Sequence, residues 1–141
     1  YLDAKYLSSL PNLGQGAEDC SGLKLRRAPK WTAGGVSDYV FDVGPGEVGL
    51  TAAMTYVSRF ETNPLNDPRG SIPPTTKVDL SARYTFPATS SLDLTLTGFV
   101  KNVTDNTTYQ GVSSGNSRGT VIDIAIPAVG RTWGASLMAK F

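Results

Sequence analysis

The side chains able to do chemistry are scattered through this sequence, and the most versatile of them is missing. There is no histidine, and Cys20 is the only cysteine. Ser-His-Asp and Cys-His nucleophilic catalysis are thereby excluded, and so is an ordinary zinc site. No glycine loop of the Walker or dinucleotide-binding type occurs. The stretch "NPLNDPRG" (63–70) has the polar density of a calcium loop, but its lone acid, Asp67, and its two prolines make it a turn. Only scattered carboxylates remain as catalytic candidates. An enzyme is therefore the least expected class, and no cofactor or metal is expected.

Charge points the same way. Thirteen Lys and Arg against twelve Asp and Glu leave a net charge of +1 over 141 residues. Basic and acidic residues are mixed, so there is no basic stripe of the kind a nucleic-acid surface needs. The length fits one ordinary domain. No run of about twenty apolar residues is present, so no transmembrane helix is expected. A spanning β-strand needs only about 9–11 residues and leaves a much weaker apolar signal, so a membrane stays open. The chain lacks an initiator Met and a signal peptide and opens on "YLDAKY", already alternating. We read it as a segment of something longer.

The elements that must position these residues are strands. Gly and Pro fall in clusters, and between the clusters apolar residues recur at every second position. Six strands are expected: Tyr1 to Leu7, Lys30 to Asp42, Val48 to Phe60, Val78 to Phe86, Leu92 to Val103 and Val129 to Phe141. "VIDIAIP" (121–127) is a β-prone tail of the long segment after Val103. The connections alternate long, short, long, short, long. In an up-and-down antiparallel meander this puts every long loop at one edge and every short turn at the other, as in outer-membrane barrels.

The strands have one apolar and one wet face. Val78, Leu80, Ala82, Tyr84 and Phe86 oppose Asp79, Ser81, Arg83 and Thr85; Leu92, Leu94 and Leu96 oppose Asp93, Thr95 and Thr97. On the last strand Trp133, Ala135, Leu137, Ala139 and Phe141 oppose Thr132, Gly134, Ser136, Met138 and Lys140. Phe99, Met138 and Val57 break the pattern. Aromatics gather at strand ends: Trp31, Tyr56, Phe60 and Trp133 towards the long loops, and Tyr39, Phe41, Tyr84, Phe86 and Phe141 towards the short turns. Trp31 to Phe41 spans roughly 33 Å along a strand, or roughly 25 Å along a membrane normal at a tilt of about 40°. Two such belts mark a membrane barrel. If Phe86 stands opposite Leu92, Arg83 lies diagonal to Asp93 and Asp79 to Lys101. That pairing suits a hydrated barrel interior and the solvated face of a soluble sheet alike.

Four stretches carry a family resemblance: "SGLKLRRAPKWTAGGVSDYVF", "YVSRFETNPLND", "VKNVTDNTTY" and the closing "GRTWGASLMAKF". In that order they resemble the C-terminal part of a TonB-dependent outer-membrane receptor. The departures are Val103 in place of the usual Leu, Tyr109 one residue further along, and Ala-Lys-Phe at the end. The resemblance implies that residues 1–141 are the C-terminal segment of a transmembrane barrel of about 22 strands, all-β, with the plug and the N-terminal strands absent. It implies active import of a scarce nutrient (siderophore-iron, cobalamin or an oligosaccharide) across the outer membrane of a Gram-negative bacterium. The implied partners are the TonB complex, reached through the missing N-terminal part, the barrel-assembly machinery, outer-membrane lipid and a small-molecule substrate.

The resemblance also assigns residues. Phe141, Trp133 and Leu137 would form the assembly signal, read by β-augmentation. Substrate contacts would lie on the long loops, with candidates Arg26, Arg27, Asp67, Arg69, Tyr109, Gln110 and Arg118. Asp79, Arg83, Asp93 and Lys101 would face the lumen. Cys20 would sit in an external loop, free or paired with a cysteine outside this segment. The Asn102 and Asn106 glycosylation patterns would be empty in such a protein. Two other classes stay open: a soluble β-sandwich that binds carbohydrate or protein, and a porin or autotransporter barrel.

Overall fold

The computed structural model describes residues 1–8, 19–117 and 120–141, with the side chains of 110, 113–117 and 120–123 outside that description. Nine strands follow one another among the described residues: β1 (Thr32–Val43), β2 (Gly46–Val57), β3 (Phe60–Glu61), β4 (Ser71–Ile72), β5 (Thr75–Thr89), β6 (Leu92–Lys101), β7 (Tyr109–Ser117), β8 (Thr120–Pro127) and β9 (Thr132–Lys140). One 3-10 turn, Pro68–Gly70, precedes β4. The chain divides into two compact units. A sheet unit holds Ala33–Thr55, Thr76–Asn106 and Val129–Phe141; a loop unit holds Tyr1–Thr32, Tyr56–Thr75 and Thr107–Ala128.

The sheet unit is an antiparallel up-and-down meander of five strands in the order β1-β2-β5-β6-β9. Its strands run 9 to 15 residues. Strands of globular proteins are mostly about 5–6 residues long, whereas a tilted membrane strand needs about 9–11. Two-residue turns close the hairpins. Between β1 and β2, Gly44 takes φ +60° at the first central position and Pro45 follows, the residue order of a type II′ turn. Between β5 and β6 the turn is Ser90-Ser91, and a bulge at Pro87/Thr89 precedes it.

The loop unit contains two small antiparallel pairs, β3 with β4 and β7 with β8. Its packed interior is small. Among the described residues, Cys20 and Ile72 are the buried apolar side chains, and Cys20 is a free thiol. Hydrogen bonds fix much of the rest. Thr62 Oγ1 lies 2.8 Å from both Gly70 O and Val112 O and shares its one proton between them, and Thr75 Oγ1 bonds Thr108 Oγ1 at 3.1 Å.

Three expectations need correction. The alternating segment Tyr1–Leu7 is not a strand; it meets residues 22–30 through backbone bonds with one isolated bridge, Lys5 to Lys24. Residues 109–117 and 120–127, read as a loop with a β-prone tail, form the antiparallel pair β7–β8, with Gly111 opposite Ile126 and Ser114 opposite Asp123. The β5–β6 register differs by two residues from the expected one: Phe86 stands opposite Leu94, because β5 continues through Pro87–Thr89 before turning.

Candidate functional site

The candidate site is the apolar face of the sheet unit. Register places Leu80, Ala82, Tyr84 and Phe86 of β5 opposite Val100, Gly98, Leu96 and Leu94 of β6. Those four β6 residues face Trp133, Ala135, Leu137 and Ala139 of β9. Leu50 and Tyr39 extend the same face across β2 and β1. None of these side chains is charged. The charged residues of the five strands (Asp38, Asp42, Glu47, Lys77, Asp79, Arg83, Asp93, Lys101 and Lys140) alternate onto the opposite face.

Among the described residues, the apolar face carries large exposed side chains. Trp133 is 81% exposed, Leu137 68%, Leu96 52% and Phe141 96%. A soluble sandwich would need this face buried against a second layer of the same chain. A hollow of about 770 Å³ lies on the face between Tyr39, Leu50, Leu80, Val100 and Trp133. A twisted sheet is a saddle, concave along one diagonal of each face, so the hollow follows from strand twist alone.

Aromatics mark the hairpin end of the face. Tyr84 and Phe86 stack with ring centroids 5.1 Å apart, and Tyr39 and Phe41 lie 5.3 Å apart. The Tyr84 hydroxyl donates to Val43 O at 3.1 Å, so its polar tip is partnered while its ring joins the face. Phe141 follows β9 at the same end. Of the four aromatics expected at the long-loop edge, Trp133 belongs to the sheet unit; Trp31, Tyr56 and Phe60 belong to the loop unit.

On the wet face the register shift re-pairs the expected charges. Arg83 stands opposite Thr97 rather than diagonal to Asp93, and its Nη2 lies 3.4 Å from Glu47 Oε1 on β2. Asp93 faces Pro87 on one side and Lys140 on the other. Asp79 Oδ1 accepts from the Asn102 N–H at 2.8 Å. Lys101 stands opposite Thr132, with its ammonium 5.9 Å from the centroid of the Phe99 ring. Phe99, which broke the alternation, has a structural reason: its ring covers Gly134, where an added Cβ would come within 2.7 Å of the ring.

The loop candidates fall into three groups. Asp67 and Arg69 are occupied by each other: the guanidinium reaches the carboxylate at 2.5 Å and holds the Asp67 pKa down at about 2. Asp67 also caps the 3-10 turn through the Arg69 N–H. Arg26 and Arg27 are exposed beside a hollow of about 450 Å³ that includes Tyr1 and Lys30. Tyr109 opens β7 and is 40% exposed. Arg118 and the Gln110 side chain lie outside the described residues.

Sequence reasoning missed Glu47 as the partner of Arg83, and it missed the part Asn102 plays. Asn102 is 4% exposed at φ +53°. Its Oδ1 accepts from Thr104 Oγ1 and from the Asn106 N–H at 3.1 Å each, and its Nδ2 donates to Asn106 O at 3.3 Å. The "KNVTDN" spacing is plain in the sequence, but it reads there as part of a resemblance stretch and as an empty glycosylation pattern, not as a buried turn. No protein-family model matches the chain, and no curated protein or solved structure does either.

Proposed function

We propose that the chain is a wall segment of an outer-membrane β-barrel, in which the apolar face meets hydrocarbon and the charged face lines a hydrated lumen. The observation that carries this reading is an exposed sheet face with no charge on it, spanned by strands long enough to cross a bilayer. β9 covers about 30 Å along its axis, or about 23 Å along the normal at a tilt near 40°, close to the apolar band of such barrels. β1 and β9 are the edge strands of the sheet. Further strands joining at those edges would extend it towards closure.

The finer reading is an active importer driven through TonB, with a barrel of about 22 strands. It rests on the four sequence stretches given above. The cargo would be a scarce nutrient such as an iron-siderophore, cobalamin or an oligosaccharide, met first by the long connections. Phe141, Trp133 and Leu137 would be read by the assembly machinery, since β9 offers a free backbone edge with alternate side chains exposed.

Lipid contact is the testable centre. The chain has two tryptophans, so Trp31→Phe leaves Trp133 as the sole reporter. In bilayers whose acyl chains carry bromine, Trp133 emission should be strongly quenched. A chain that stays monodisperse without detergent and shows unquenched Trp133 would defeat the barrel reading and return the soluble binding module.

A further inference from the structure

The loop unit carries an unrelieved charge arrangement that the barrel reading does not use. Extended residues 4–6 run antiparallel to 23–25: the Leu25 N–H donates to Ala4 O at 2.9 Å, and the Tyr6 N–H to Leu23 O at 3.0 Å. These two bonds flank Lys5 and Lys24, which therefore face each other as a non-hydrogen-bonded pair. In that kind of pair the backbones are closest, with Cα atoms about 4.5 Å apart, and the side chains lie nearest each other. Like charges placed directly opposite are destabilising.

The backbone of Lys24 is also held in place. The Asn66 side-chain amide brackets its peptide group: Oδ1 accepts from Lys24 N at 2.8 Å, and Nδ2 donates to Lys24 O at 2.9 Å. Lys5 and Lys24 share with Lys30 and Arg59 the lining of a cavity of about 400 Å³, in which Asp3 is the one acid among the described residues. Among the described residues no carboxylate lies within ion-pair distance of any of these four cations. The Lys30 ammonium stands 5.8 Å from the centroid of the Tyr1 ring. One wall is fixed by a reciprocal pair: the Trp31 N–H donates to Ser58 Oγ at 2.9 Å, and the Ser58 N–H to Trp31 O at 2.8 Å.

We propose that this cavity binds a phosphate group. Four cations against one carboxylate leave an excess of three positive charges. A single carboxylate would offset one of them, whereas a phosphoryl group carries about −1.5 to −2 and presents several acceptor oxygens. Lysine ammoniums bind such a group as point charges from several directions. The phosphate could belong to a soluble ligand or to a lipid headgroup; the shared chemistry is the multivalent oxyanion between Lys5 and Lys24. The site is built from the loop unit alone and does not rest on the barrel reading.

The test uses the whole chain in neutral detergent with Trp133→Phe, which leaves Trp31 on the cavity wall as the sole tryptophan. Titration with inorganic pyrophosphate should change Trp31 emission saturably, and added NaCl should weaken binding by screening. Lys24→Gln and Lys5→Gln should each weaken it roughly tenfold, the effect of one lost charge contact. Without anion, both variants should unfold at or above the parent's midpoint, because the like-charge pair is relieved. In a second arm, micelles are doped with phosphatidylglycerol. A saturable response to the lipid that pyrophosphate competes away assigns a headgroup, and a response to pyrophosphate alone assigns a soluble ligand. The proposal is overturned if neither probe gives a saturable response, if both lysine variants bind like the parent, or if they unfold earlier without anion.

Discussion

Asn102 shows how one residue holds a strand end. It occupies the left-handed region at φ +53°, which costs an ordinary L-residue about 1–2 kcal/mol. Its side chain then ties residues 104 and 106 back onto the turn. Asn102→Ala loses both the conformational tolerance and the buried bonds, and should cost about 2–4 kcal/mol. Asn102→Gly loses only the bonds and should cost visibly less; denaturant unfolding of the two variants side by side measures the difference. Asp67 makes a second prediction, about pH. Its folded pKa of about 2 lies below its ordinary 3.8, with the Arg69 side chain the largest cause. The contact is therefore at full strength above about pH 4 and fades as pH falls through 2. NMR titration of the Asp67 carboxyl should give a midpoint near 2, and Arg69→Gln should return it towards 3.8.

At the scale of elements, the five strands of the sheet unit were legible because charge and grease alternate cleanly along them. Val78 to Phe86 shows this well: every even side chain is apolar or aromatic and every odd one is polar. What the pattern could not give was register. A shift of two residues leaves each side chain on its face, so Phe86 pairs equally well by pattern with Leu92 or Leu94, and the extension of β5 through Pro87–Thr89 accompanies the Leu94 pairing. Tyr1–Leu7 carries the same alternation yet makes one isolated bridge, since period two reports a face and not a partner. The β7–β8 pair was hidden for the opposite reason: "GVSSGNS" is rich in Gly, Ser and Asn, which read as loop. The loop candidates were chosen as polar residues on long connections, so the mutual capture of Asp67 and Arg69 was invisible until the turn between them was seen. The oddity of Phe99 on the wet face resolves at this scale too. Its ring shields the Gly134 backbone across the β6–β9 pair, the device by which an aromatic supports a glycine in a neighbouring strand. Phe99→Ala should lower stability by about 1 kcal/mol, and Gly134→Ala should also destabilise by displacing the ring; a double-mutant cycle should show the two coupled.

For the whole molecule, the segregation of charge gives an asymmetric mutational response. Leu96 and Thr97 are sequence neighbours on opposite faces of β6, paired to Leu137 and Ser136. In a bilayer, Leu96→Arg should cost about 2–4 kcal/mol, as a cation near the hydrocarbon midplane does, while Thr97→Arg should be nearly neutral in a wet lumen. Reversible unfolding from lipid vesicles measures both, and equal costs would argue against lipid on the apolar side. The same alternation bears on how such a sheet finds its proper alignment. Sliding β6 by a single residue would turn Asp93 and Lys101 into the greasy layer and lift Leu94, Leu96 and Val100 into water. Every odd-numbered slip thus carries its own penalty, while even-numbered slips do not. Those must be rejected by local fittings: the Asn102 turn at one end of β6, the Pro87 bulge at the other, and the Phe99 ring that finds its glycine in only one alignment.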